Sequence, residues 1–346
     1  MSQGAARPEL TPVSVDPAQG RVEMGQCQAV RITCLSEVGW WDDQALMGPV
    51  AQAGGLDKAE QWGVAWDQGN AAGCCHLLEV EALDGSVRRI LMDVAWSPAF
   101  LDWRLEATGV AGLLERGGID LLYLTHEHMD HFWGLEAVLG RDPGLTMLVP
   151  SSLSISALKF IFGGVFQPAG AKNRFPHQGR LLKMAPGKVH LLFEGCASVT
   201  FDQPIILGVR GEQSLYFNIK DKGILCVTGC CHQGLGQLLD FARQHLAGGQ
   251  ALYGLYGGLH LAPFGQLGPQ AQETIRDLGQ YGLEKLAVNH CTGLKAVEMM
   301  LELGYPVEGG RASQGSRSPL YLGNGDTVVF GPGGAPPAGP DAPGGA

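Results

Sequence analysis

Nowhere in the 346 residues does an apolar run reach the ~18 residues of a transmembrane helix, so no membrane span is expected. Positive charge is scarce. The 24 Lys and Arg face 34 Asp and Glu, and the net charge of −10 argues against a nucleic-acid or anionic-membrane surface. Met1 to Gln19 has no basic stretch leading into an apolar core, so no secretory signal is expected. The nine cysteines contain no C-x-x-C and are odd in number; they include the adjacent pairs Cys74-Cys75 and Cys230-Cys231. That is no disulfide framework, and a reducing cytoplasm is the natural setting. Glycine, by contrast, is plentiful at 52, which implies many tight turns, and 45% apolar residues suffice for a sizeable core.

What the chain does have is Leu121-Leu122-Tyr123-Leu124-Thr125-His126-Glu127-His128-Met129-Asp130-His131. Ile119 to Leu124 predicts a buried strand that runs into four potential metal ligands in the pattern H-x-H-x-D-H. His126 and His128 lie two apart, so in an extended segment both face one side. Asp130 and His131 then turn toward a helical stretch, Gly134 to Leu139. Imidazole and carboxylate suit zinc, and also iron, manganese or nickel. Three histidines and an aspartate in one loop exceed what one open tetrahedral site needs. Two adjacent metals are therefore expected, His126 and His128 on one, Asp130 and His131 on the other. Metals ~3.5–4 Å apart can share a bridging hydroxide. A merely His-rich helix start, capped by Thr125 or Asp130, would give a buried strand little reason to run into four such ligands.

Thr125 to His131 resembles the H-x-H-x-D-H signature of the metallo-β-lactamase superfamily. Three later segments narrow the resemblance: Thr228-Gly229-Cys230-Cys231-His232, Gly257-Gly258-Leu259-His260-Leu261 and His290-Cys291-Thr292-Gly293. As a set they look like the branch of the archaeal dihydropterin-(ribofuranosyl)aminobenzene phosphate synthases and many metal-dependent hydrolases. The resemblance implies an α+β fold, the αββα four-layer sandwich, with the site at one edge between the sheets. It also implies a histidine for the first metal, assigned to His232, and a last histidine for the second metal, assigned to His290. Each follows an apolar strand, as His126 does. Related proteins often carry a bridging aspartate after Thr-Gly. Here Cys230 stands there, which leaves a thiolate ligand or a solvent bridge open, and Cys230 is kept out of the ligand set. His260 is expected to act as a ligand, as a general acid or as a hydrogen-bond donor. Asp93, at the end of the strand Val87 to Val94, would buttress the metal loop rather than bind metal.

Along the chain, residues 1–20 lack periodicity and read as a mobile arm, 21–330 as one domain, and 331–346, nearly all Gly, Pro and Ala, as a disordered tail. Asp84-Gly85-Ser86 between two apolar runs predicts a hairpin. Pro98 to Arg116 predicts a helix stopped at Gly117-Gly118. Strands are expected at Ile205 to Val209 and Leu215 to Ile219, and a closing hairpin from Leu320–Leu322 to Thr327–Phe330. Trp40 and Trp41 could line a pocket but are expected rather to cover core, and Phe132-Trp133 to narrow substrate access or fill core. Lys172, Arg174 and His177 are candidate contacts for a substrate anion, against a solvated loop with ordinary charges. His76 reads as a plain core or surface residue.

These readings combine into a metal-dependent hydrolase. Two divalent ions, zinc with iron or manganese as alternatives, would act on a small-molecule ester, phosphoester, lactone or related bond, with Asp130 and His260 catalytic. A pterin-type transferase releasing pyrophosphate and a non-catalytic metal sensor are the alternatives. No residues remain for a flavin domain, and the acidic chain lacks a nuclease's basic surface.

Overall fold

The computed structural model describes residues 9–332. The early strands are β1 (Val13–Val15), β2 (Cys27–Ser36), β3 (Cys75–Ala82), β4 (Val87–Met92), β5 (Leu121–Tyr123) and β6 (Met147–Pro150). A small hairpin, β7 (Val165–Phe166) and β8 (Ala171–Lys172), precedes β9 (Leu181–Met184). Then come β10 (Val189–Phe193), β11 (Cys196–Pro204), β12 (Arg210–Ile219), β13 (Gly223–Thr228), β14 (Leu252–Gly258), β15 (Lys285–Asn289) and β16 (Thr327–Phe330). The early helices are α1 (Asp43–Gln52), α2 (Pro98–Ala107), α3 (Val110–Glu115), α4 (Met129–Phe132), α5 (Leu135–Leu139) and α6 (Ile155–Ile161). The late ones are α7 (Leu235–His245), α8 (Pro269–Asp277) and α9 (Leu294–Glu302). None is long and apolar enough to cross a membrane.

Alternation along the strands builds the layers. In β4 and β5, Ile90, Met92, Leu121 and Tyr123 turn to one face, and Leu91 and Leu122 to the other. In β12 and β13, Leu215, Phe217, Leu225 and Val227 turn to the face that meets them, while Tyr216, Ile224 and Cys226 point away. The inward residues of both layers form one central core. The outward residues of the first layer pack under α1 to α6, and those of the second under α7 to α9. The result is the expected αββα sandwich, with the sheets stacked and both outer faces covered.

Both layers are mixed, and this mixture places the site. In the first, β2, β3 and β4 are antiparallel, and β4, β5, β6 and β9 run parallel. In the second, β10 to β13 are antiparallel and β13, β14 and β15 parallel. A parallel bridge between Ile219 and Cys27 joins the layers. Parallel neighbours need helical crossovers, so their carboxyl ends gather on one side of each layer. Asp93, His126, His232, His260 and His290 all follow such ends.

Several expectations are corrected. Ile205 to Val209 is no strand. It is a tight turn, Ile206–Gly208, with Leu207 at φ 60°, between β11 and β12; Pro204 lacks the N–H to extend the ladder. The helix expected over Pro98 to Arg116 breaks at Gly109, whose left-handed φ of 73° starts α3. Leu320–Leu322 is not a strand, and β16 pairs with β2 instead. The arm expected over 1–20 is held from Val13 onward, because β1 pairs with β10 and Asp16 meets Lys188. Residues 1–8 of that arm, and 333–346 of the expected tail, lie outside the described residues.

Candidate metal centre

The loop after β5 is bound to both layers. Thr125 N donates to Asp93 Oδ1 at 2.7 Å, and Thr125 Oγ1 donates to Asp93 Oδ2 at 2.8 Å. From the second layer Gln213 N donates to Thr125 O, and Gln213 Nε2 to Leu124 O. Asp93 is fully buried and takes a third bond from His131 Nδ1 at 2.7 Å, the buttress expected of it. Asp93, Cys231, His260 and His290 all have left-handed φ, from 48° to 60°. Each such residue costs roughly 1–3 kcal/mol, strain that clusters where side chains must be aimed.

Five imidazoles converge here, and their outer hydrogen bonds fix the tautomers. His128 Nε2 lies 3.0 Å from Ile206 O, and His290 Nδ1 lies 2.8 Å from Glu37 O. A carbonyl can only accept, so each ring donates outward. His131 Nδ1 donates to Asp93, and His232 Nδ1 to Glu212 Oε2 at 2.7 Å. The Thr125 hydroxyl has given its proton to Asp93, so it accepts from His126 Nδ1 at 2.9 Å. The inner nitrogens of His126, His128, His232 and His290 are therefore left as lone pairs, while His131, favoured as a cation against burial by Asp130 and Asp93, keeps a proton on Nε2 near neutrality until a metal displaces it. His126 Nε2 and His128 Nδ1 face each other at 3.0 Å, His131 Nε2 and His290 Nε2 at 3.1 Å, and His232 Nε2 has no partner. Lone pairs aimed at one another repel unless a cation lies among them, and outer bonds of this type are how proteins orient metal-bound histidines.

The donors fall into two groups. His126, His128 and His232 each offer a ligand atom within 4.8 Å of the others. Asp130 Oδ2 lies 3.4 Å from His290 Nε2 and 3.8 Å from His131 Nε2. Burial, and then neighbouring imidazoles, push His126 well below its ordinary pKa and His128 down to about 3, so both rings are neutral donors. Burial opposes charge on His131 too, but Asp130 and Asp93 outweigh it and hold that ring up at about 9. The same carboxylates favour a metal cation beside it. Burial works against the Asp130 carboxylate, yet His131 and His290 hold it below the usual range.

Glu212 was not anticipated. It is fully buried, and its oxygens accept from the backbone N–H groups of Cys230, Cys231 and His232 as well as from His232 Nδ1. Burial raises its pKa, but His232 and these bonds overcome that and bring it to about 2. The available signal was a carboxylate within the run Arg210 to Ser214, directly before an apolar strand. A folded pKa below the ordinary 4.5 means that the unfolded chain binds more protons between these values. The stability Glu212 contributes is therefore present above pH ~4.5 and lost as pH falls toward ~2. Denaturant titrations of wild type and Glu212→Gln should differ most near neutrality and converge in acid. A pH-independent difference would refute the assignment.

Over the donors opens a small apolar cleft, walled by Leu46, Met47 and Val50 of α1, by Ile206 and Leu207, and by Trp40 and Phe264. His260 lines it and packs against His232 with the rings tilted, their centroids 4.7 Å apart. Trp40 is thus a cleft wall rather than only a core cover, whereas Trp41 is exposed against Phe100. Phe132 and Trp133 fill core against Trp62. Lys172 and Arg174 line a different cavity, where Arg174 pairs with Glu136, and His177 Nε2 bonds Leu145 O. His76 is a core residue between Cys74 and Tyr256.

No family model matches the chain. Among curated proteins, the 7,8-dihydropterin-6-methyl-4-(beta-D-ribofuranosyl)-aminobenzene-5'-phosphate synthase of Methanocaldococcus jannaschii is 24% identical over 255 residues, covering 66% of this chain and 84% of that protein. Two solved structures are also similar. A metal-dependent hydrolase of the beta-lactamase superfamily has 16% identity and a TM-score of 0.49, with 86% of this chain and 98% of that one covered. A quorum-quenching N-acyl homoserine lactone lactonase has 13% identity and a TM-score of 0.36, with 74% and 87% covered. Facing mixed sheets, helices outside both, and an H-x-H-x-D-H loop at a strand end make this chain a protein of the metallo-β-lactamase fold. Its resemblance to the branch of the dihydropterin-(ribofuranosyl)aminobenzene phosphate synthases is borne out by the curated relative.

Proposed function

We propose that the chain is a metal-dependent hydrolase of the cytoplasm, acting on an ester, phosphoester, lactone or related bond of a small molecule. The observation that carries this reading is five convergent imidazoles whose outer N–H groups are already committed, so that their inner nitrogens face one another. Metal ligands would be His126, His128 and His232 for one ion and Asp130, His131 and His290 for the other, zinc fitting the nitrogen-rich set and iron or manganese being alternatives. Two divalent ions, when bound, supply Lewis-acid polarisation and a water acidified toward neutrality.

The chain's own residues do the rest. Asp130 stays ionised, so it can accept a hydrogen bond from the attacking water and orient it. His260 lines the cleft and is only partly buried, so it can protonate the departing oxygen. Leu46, Met47 and Val50 would hold an apolar part of the substrate and exclude water. Met47→Asp should therefore raise KM about tenfold or more for a substrate with an apolar tail, with kcat little changed; an unchanged KM would remove α1 from the substrate site.

A second reading is a pterin-type transferase releasing pyrophosphate, favoured by the curated synthase relative. Hydrolysis of a generic phosphodiester and a generic lactone, with and without a chelator, separates the two. Chelator-sensitive turnover supports the hydrolase. A metal-loaded protein inert to both bonds favours transfer.

A further inference from the structure

We propose that Cys230 and Cys291 are thiolate ligands of the metal centre, giving it a sulfur face beside its imidazoles. This rests on the metal-centre reading above and extends it to residues outside the H-x-H-x-D-H set. The two sulfurs and His260 each place a ligand atom within 4.8 Å of the others. Cys230 also groups within that span with His126 and His131, one histidine from each metal group, and its Sγ is 3.1 Å from His131 Nε2. The Cys230 sulfur thus stands between the two groups.

The backbone is shaped to bring these sulfurs in. Cys230 follows β13, and Cys291 follows β15. Between them runs β14, whose last residue, Gly258, allows the close approach. A Cβ there would stand 2.5 Å from Gly229 O and 2.7 Å from Cys291 Sγ. His260 N donates to Cys291 Sγ at 3.3 Å, a bond suited to a negatively charged sulfur. All three line the cleft, and His260 is the least buried of them, which leaves it the most accessible for proton transfer.

Other cysteines lack this setting. Cys27, Cys196 and Cys226 lie within the hydrophobic cores. Cys231, next in sequence to Cys230, turns into the core under α7. Cys74 groups with His131 and His290, but its thiol already meets His76 Nε2 at 3.0 Å. On metal binding each ligating thiol gives its proton to solvent as the metal–sulfur bond forms. Thiolates select thiophilic ions, so the centre should prefer zinc or cobalt over manganese.

The test is cobalt(II) loading of the metal-free full chain, followed by absorption spectroscopy. The wild type should show sulfur-to-cobalt charge-transfer bands. The bands should fall to about half in Cys230→Ser and in Cys291→Ser, and vanish in the double variant. Cys74→Ser and Cys231→Ser should keep them in full; if Cys230 or Cys291 variants do not fold, this retention supports the assignment by elimination. Visible cobalt bands without charge transfer in the wild type would overturn the sulfur face while leaving the histidine centre intact. Full charge transfer in the double variant, or its loss in Cys74→Ser, would overturn the assignment. Absence of bound cobalt would overturn both this proposal and the metal-centre reading.

Discussion

Replacing His260 with alanine is expected to lower kcat by ~10²–10⁴-fold while the bound metal per chain stays unchanged. Two observations set this expectation. The ring lines the cleft above His232, and its Nδ1 has no hydrogen-bond partner. A left-handed φ of 48° aims it there at a cost in strain. The backbone N–H that reaches Cys291 survives the substitution, so the inner donors are not disturbed. The effect should also depend on the leaving group. A substrate that departs as a good anion needs no proton, and the variant should lose little on it. Equal losses on activated and unactivated substrates, or loss of metal, would remove His260 from proton transfer.

Asp93→Ala is expected to act in the opposite way, on metal and on stability together. Asp93 is fully buried and holds three donors, Thr125 N, Thr125 Oγ1 and His131 Nδ1. Without it His131 loses the bond that fixes its tautomer, and Thr125 loses the reason to accept from His126. Loss of such an outer partner costs ~10–100-fold in metal affinity. Breaking a buried charged pair costs about 3–5 kcal/mol of folding stability. Calorimetry should show the drop in the metal-free protein as well, because the carboxylate ties β4 to the metal loop whether or not a metal is present. Unaltered metal affinity with only a stability loss would make Asp93 a structural residue and nothing more.

Much of this was legible in the sequence because the candidate ligands follow runs with clear apolar patterns. Val87 to Met92, Leu121 to Tyr123, Gly223 to Thr228 and Lys285 to Asn289 are followed within four residues by Asp93, His126, His232 and His290, which the fold delivers to one side. The branch resemblance supplied His232 and His290, and the geometry brings both to the same place as His126 and His131. Less legible were the residues that hold the ligands. Glu212 sits in a polar run that looked like the approach to a strand, yet it is buried, because the centre rather than solvent satisfies it. The carbonyls of Glu37 and Ile206 orient His290 and His128, and no side-chain pattern announces a carbonyl. The turn Ile206–Gly208 resembles a strand in sequence because Ile206 and Leu207 are apolar. They are apolar because they wall the cleft. Lys172 and Arg174 suggest an anion site because insertions here often shape the pocket in the resembled superfamily, and only tertiary placement shows them lining a different cavity.

The most direct measurement is the metal content per chain of the purified protein, by elemental analysis, in wild type and His128→Ala. The arrangement of donors predicts about two divalent ions in the wild type and the loss of one or both in the variant. A wild-type protein that binds none after exposure to zinc, iron and manganese would contradict the metal centre and every catalytic role built on it.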